Sequence, residues 1–245
     1  MHARAAQGQR HGAQGDKACR VGRTWEDCLA FVEANPGVRV VEMDTVEGVK
    51  GGKVLLTPIF NPFNFMLAFL IDAKTGECVL GAFKTIRDVL KEHYGDEWRE
   101  VFSRLFPVIV TDNGSEFTNP SAIEFDEDGR LTFVFYCKAY ASYQKPHVER
   151  NHEFIRLVLP KGGAYTEPTS FDGLGQEKVS LMMSHINSYA RKGLGERTPY
   201  DLFRAEFGGE IMDLFAITRI AANDVTLKPS LPGIEVAVKE GLRRE

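Results

Sequence analysis

The sequence predicts an α/β protein: a mixed five-stranded sheet flanked by helices, with additional helices toward the C-terminus. Three observations carry that expectation. The segments VRVVEMDTV (38–46), KVLLTPIF (53–60) and FMLAFLID (65–72) are rich in β-branched and aromatic residues and follow one another through short Gly- or Asn-Pro-containing links, which implies an antiparallel meander. Helical periodicity then takes over, and the short apolar run PVIVTD (107–112) follows it, as a strand buried on both faces requires. Strands and helices alternate from there on, so the helices have a sheet to cover.

The elements read in order as follows. Residues 1–23, rich in Gly, Gln, Ala and Arg, have the composition of a disordered arm. TWEDCLAFVEANPG (24–37) opens on Thr24 as N-cap, carries acids in its first turn and stops at Pro-Gly, so it reads as a short helix. After the meander, ECVLGAFKTIRDVLKEHYG (77–95) has helical period and ends in glycine, and DEWREVFSRLF (96–106) continues as a second helix. EDGRLTFVFY (127–136) supplies a turn and the fifth strand. Helices are expected over 147–159, 175–191 and 198–208, and the chain thins into a tail from about residue 217. The division is a basic arm (1–23), a core with its C-terminal helices (24–208) and an extension (209–245).

Charge is unevenly distributed. Arg4, Arg10, Lys17, Arg20 and Arg23 stand against Asp16 alone in the first 23 residues, a net +4; with a chain total of −4, the remainder carries −8. An acidic body is wrong for bare electrostatic binding of nucleic acid but suits clustered carboxylates that take cations. No apolar run approaches a membrane span of about 20 residues. Cys19, Cys28, Cys78 and Cys137 form no CxxC pair, which argues against zinc and against a disulfide framework and fits a cytoplasmic setting.

Three acids stand at positions where chemistry is done. Asp44 lies inside an apolar strand, where a lone carboxylate is costly to bury. Asp112 ends the fourth strand at Asp112-Asn113-Gly114, and Glu149 opens the helix after the fifth strand. If the first and fourth strands are neighbours, the two aspartates lie side by side. Such carboxylates repel by up to roughly 4 kcal/mol per pair at 4 Å and an effective dielectric near 20, so they stay ionised only when cations join them. All-oxygen ligands point to Mg²⁺ or Mn²⁺, and two such ions would suit in-line attack at a phosphodiester. At helical period Glu149, Glu153 and Arg156 share one face and the apolar residues the other, which leaves Glu149 free to face a cleft.

Asp44 in MDTV, Asp112 in TDNGSEF, and Glu149 followed by Arg156 and PKG (160–162) resemble the DDE signature of bacterial insertion-sequence transposases, relatives of the integrase catalytic core. The 36 residues between Asp112 and Glu149 are close to the interval that family keeps. INSYARKGLGERTPYDLF (186–203) is similar to the segment that follows the core there. The resemblance implies an RNase H-like fold, catalytic and metal-ligand roles for Asp44, Asp112 and Glu149, and metal-dependent DNA cleavage and strand transfer. It also implies DNA, as transposon ends and target, and further copies of the chain as partners, with no organic cofactor and no membrane. Asn113 and Gly114 shape the turn that presents Asp112; Arg156, Lys161 and Lys145 are candidate DNA contacts. Pro146-His147 replaces a glycine and a small residue common in relatives, and proline suits a first helical turn.

Rival readings are specific. Asp112 in Asp-Asn-Gly is by itself a turn former. Asp44 is a core carboxylate if an arginine pairs with it. Glu42 is a rival ligand on the same strand face as Asp44, and Glu153 lies one turn beyond Glu149. An RNase H-like nuclease that never joins strands, or a silent DNA-binding assembly protein, are the alternative functions.

Overall fold

The computed structural model describes residues 18–139, 141–162, 168–229 and 231. The first helix, α1 (Trp25–Ala34), starts where the sequence places it: Thr24 and Asp27 exchange backbone and side-chain hydrogen bonds in a capping box. Strand β1 (Val41–Glu47) runs antiparallel to β2 (Val54–Phe60), with Asp44 opposite Thr57. All seven β2 residues are buried, the pattern of a strand covered on both faces. The long helix α2 (Gly76–Tyr94) and α3 (Trp98–Leu105) then carry the chain across to β5 (Val108–Thr111), which lies parallel to β1.

The predicted third strand is in two pieces, β3 (Phe65–Met66) and β4 (Phe69–Ile71), both antiparallel to β2. Among the described residues the main sheet therefore has six strands where five were predicted. The outer edge of those pieces is satisfied by side chains of α6 (Gln176–Ser188) instead of another strand. Asn187 accepts from Met66 N (2.9 Å) and donates to Met66 O (2.8 Å), and Gln176 accepts from Leu70 N (2.8 Å) and donates to Ala68 O (2.9 Å). This closes an edge that would otherwise be open to pairing.

The segment 127–136, expected to hold a turn and the fifth strand, divides further. Residues Phe125–Asp126 (β6) and Gly129–Arg130 (β7) form a separate hairpin, and only β8 (Phe133–Tyr136) joins the main sheet, parallel to β5. The reason is the turn: Asp128 N donates to Asp126 Oδ1 (3.1 Å), and Gly129 sits at φ 131°, open only to glycine. The strand order β3-β2-β1-β5-β8, antiparallel through β1 and parallel beyond it, is RNase H-like.

Both faces of the parallel strands are covered. Ile109, Val134 and Tyr136 join the large core, while Val108, Val110, Phe135 and Cys137 face a smaller cluster under α1. Burial pushes the Cys28 and Cys137 thiols up to about 11 and about 12, so both are inert.

Residues 18–23, expected to be disordered, pack along β8. The Arg23 guanidinium pairs with the buried Glu124 carboxylate at 2.6 Å, and its carbonyl accepts from Tyr136 N at 2.9 Å. A buried carboxylate needs such a partner. Residues 1–17 lie outside the described residues. The core also continues past residue 208: helix α7 (Pro199–Phe207) stacks Phe203 on Phe65, and Ile211, Met212, Ile217 and Leu231 are buried in the same cluster. Among the described residues no helix is long and apolar enough to cross a membrane.

Candidate active site

The parallel register pairs Val41 with Ile109 and Glu42 with Val110. Carried two residues on, it sets Asp44 beside Asp112. Helix α5 (Pro146–Val158) packs across β1 and brings Glu149 to the same place. Asp44, Asp112 and Glu149 line one cleft of about 610 Å³, together with Asn113, Gly114 and Lys145. A larger groove of about 700 Å³ between β4, α2 and α6 is mainly apolar and lies away from these acids.

Asp44 is half-buried and fully engaged. Its Oδ1 accepts from Thr45 N at 2.8 Å and its Oδ2 from Lys145 Nζ at 2.9 Å. Lys145 Nζ also donates to Met43 O at 3.1 Å, and its side chain is 6% exposed. Behind Asp44, Thr57 Oγ1 donates to the Asp44 carbonyl at 3.1 Å and stands 2.7 Å from His152 Nε2. Thr57 has spent its only proton, so His152 Nε2 is the donor. Burial pushes the His152 ring down to about 4 against the pull of the Asp44 carboxylate, which keeps the imidazole neutral.

Asp112 is presented by a braced turn. Gly114 N donates to Asp112 Oδ1 at 2.9 Å; Asn113 Nδ2 donates to Cys137 O at 2.7 Å, and Asn113 O accepts from Arg20 at 3.1 Å. A Cβ at position 114 would lie 2.3 Å from Glu116 Oε2, so a side chain there would require the Glu116 carboxylate to shift. Glu116 is 2% exposed. Its Oε1 accepts from Thr45 Oγ1 at 3.0 Å and pairs with Lys74 at 3.5 Å, while Oε2 has no partner among the described residues. Burial opposes the Lys74 charge, yet the Glu116, Glu47 and Asp112 carboxylates outweigh it and raise its pKa.

Glu149 is exposed in the first turn of α5 and makes no hydrogen bond or ion pair among the described residues. The start of its helix is held from β1. The buried Glu42 carboxylate accepts from His147 N (3.1 Å) and Val148 N (2.8 Å) through Oε2 and from Asn61 Nδ2 (2.9 Å) through Oε1. Burial raises the Glu42 pKa, opposed by these donors. Glu42, read from sequence as a rival ligand, is instead an acceptor for the orphan amides of a helix start. That role leaves no local sequence signal, because the amides lie more than a hundred residues away.

The other candidates separate. Lys145 does not present its charge to solvent for a phosphate; it is buried, with its ammonium against Asp44 and Met43 O. Arg156 is half-buried and donates to Glu47 O at 2.7 Å, tying α5 to the end of β1. Burial lowers its pKa against the Glu47 charge. Lys161 is exposed just beyond α5.

The donor set fits a hard divalent cation: every candidate ligand is a carboxylate oxygen, and Asp112 Oδ2 and both Glu149 oxygens are without a protein partner among the described residues. The spacing is open, since among the described residues no three His, Cys, Asp or Glu side chains stand close enough to hold one ion together. Among the described residues Asp44 and Asp112 are braced by hydrogen bonds and Glu149 is not.

By strand order the protein is of the RNase H-like α/β class. In sequence it is 31% identical, over 101 residues, to the transposase for insertion sequence element IS4351 of Bacteroides fragilis; the match covers 41% of this chain and 28% of that protein. The chain thus spans well under a third of that relative's length. The catalytic core domain of BIV integrase aligns in structure over 71% of this chain and 99% of its own, with a TM-score of 0.44 and 16% identity. No family model matches the chain.

Proposed function

We propose that this protein is the catalytic core of a DDE transposase, cutting DNA and joining the resulting 3′ ends to target DNA in a metal-dependent reaction. The observation that carries the reading is the convergence of Asp44, Asp112 and Glu149, from β1, the end of β5 and α5, on one cleft. The sequence similarity to an insertion-sequence transposase supports the same reading.

In this reading the three carboxylates hold two Mg²⁺ or Mn²⁺ ions. Bound there, such ions would supply charge stabilisation for an in-line displacement at phosphorus. The chain's own contribution is placement. Gly114 N and the Asn113–Cys137 bond fix the Asp112 turn, Thr57 and Thr45 N fix Asp44, and Glu42 fixes the helix that carries Glu149. Water attacks in cleavage and a DNA 3′-hydroxyl in joining, so no protein side chain forms a covalent bond to DNA. This reading assigns Lys161, exposed beyond α5, to a DNA phosphate. Holding two DNA ends at once calls for at least two copies of the chain on DNA.

The test is a disintegration assay on a branched DNA substrate with Mg²⁺ or Mn²⁺, wild type beside Asp112→Asn. The branch supplies geometry that a separate recognition element would otherwise impose. Metal-dependent strand joining, lost by more than about a hundredfold in Asp112→Asn, is the expected result. Cleavage without joining would replace this reading with a nuclease, and DNA binding without either reaction would make the protein a silent assembly factor.

A further inference from the structure

Lys145 puts a positive charge where the cleft calls for a cation. Its ammonium is 2.9 Å from Asp44 Oδ2 and 3.1 Å from Met43 O, and the residue is 5% exposed. It is also the N-cap residue of α5, four positions before Glu149. One side chain therefore joins the aspartate wall to the helix bearing the glutamate. A buried ammonium is tolerated only with partners of this kind, and the carboxylate it holds is one the metal-dependent reading assigns to a divalent ion.

We infer that Lys145 is a built-in counter-ion for Asp44 that a divalent cation must displace. The inference rests on the metal-binding reading proposed above. In the metal-free protein the ammonium neutralises Asp44 and holds the start of α5 to β1. An incoming Mg²⁺ or Mn²⁺ competes with it for Oδ2, because a lysine is a compact point charge on a flexible stem that can swing away. Released, Lys145 Nζ is left at the mouth of the same cleft. Lys145 is thus a positioning residue for the empty site and sets a threshold for metal entry.

Two measurements test this in the full chain. The first is the Mn²⁺ dissociation constant, by calorimetry or by Mn²⁺ electron paramagnetic resonance, for wild type, Lys145→Met and Asp112→Asn. Removing a charge-assisted hydrogen bond that metal would have to break makes Mn²⁺ bind about tenfold more tightly in Lys145→Met. The second uses wild type alone: acylation of Lys145 by an amine reagent, read by mass spectrometry, rises with Mn²⁺ along the binding curve. Equal or weaker Mn²⁺ binding by Lys145→Met, with Lys145 acylation indifferent to Mn²⁺, would overturn the inference. If Lys145→Met does not fold, the acylation result decides. The failure of the parent reading looks different: wild type then shows no saturable Mn²⁺ binding, or binding that Asp112→Asn leaves unchanged.

Discussion

Asp44 and Glu149 face the same cleft from opposite walls and are held in opposite ways. Asp44 is bonded at both oxygens and braced behind by Thr57 and His152, whereas Glu149 stands exposed with both oxygens open. The backbone under Glu149 is nevertheless fixed, since Glu42 and Lys145 tie the start of α5 to β1. The difference separates two tasks. On the metal-binding reading proposed above, the sheet would supply a rigid ligand wall before any cation arrives, and the helix a ligand whose side chain alone has still to be ordered. Ordering one glutamate costs about 1.5–2 kcal/mol of rotamer freedom, which cation binding can offset.

The strongest way to break this comparison is to cut the tie beneath Glu149. Glu42→Ala strands the His147 and Val148 amides and the Asn61 amide group, and it lowers unfolding free energy by about 3 kcal/mol in chemical denaturation. A loss below about 1 kcal/mol would mean that α5 does not depend on the Glu42 tie. On the Asp112 side, Arg23→Ala leaves the Glu124 carboxylate, 2% exposed, with Val134 N at 2.9 Å and the longer Arg130 contact at 3.3 Å. It costs about 2 kcal/mol, and an unchanged melting temperature would remove residues 18–23 from the account.

His152 sharpens the comparison through pH. Its folded-state value of about 4 lies below the ordinary 6.5, so between them the unfolded chain binds more protons than the folded one. Stability therefore falls as pH drops from about 6.5 toward 4, by up to about 1.4 kcal/mol per pH unit. His152→Gln keeps an amide donor for Thr57 and removes the titration, so its stability curve is flatter across that window. The smallest effect belongs to Arg156→Ala. Losing its bond to Glu47 O costs about 1 kcal/mol and leaves DNA affinity near that of wild type in a fluorescence anisotropy titration. A large loss of affinity there would return Arg156 to the DNA contacts that the sequence nominates.

The strands that carry the candidate acids were legible because short-range rules govern them. Apolar runs and glycine-rich links separate β1, β2 and β5, and the parallel neighbours β1 and β5 set Asp44 beside Asp112. Helical period turned Glu149 away from Ile155 and Val158, which are buried. What escaped depends on contacts across long stretches of chain. Asn187 and Gln176 reach over from α6 to the edge where FMLAFLID divides. Glu42 finds its amides 105 and 106 residues on. Lys145 read as a DNA contact because a lysine near a carboxylate triad suits a phosphate equally well; only its burial against Met43 O and Asp44 separates the two roles.

The most direct test of the account is a calorimetric Mn²⁺ titration of wild type beside Glu149→Gln and Asp44→Asn. Both substitutions keep side-chain shape and remove charge, one from the open wall and one from the built wall. Saturable binding by wild type, weakened at least about tenfold in each variant, is the predicted result. Wild-type affinity in both variants would contradict it, because the carboxylates of β1 and α5 would then not hold a shared metal site.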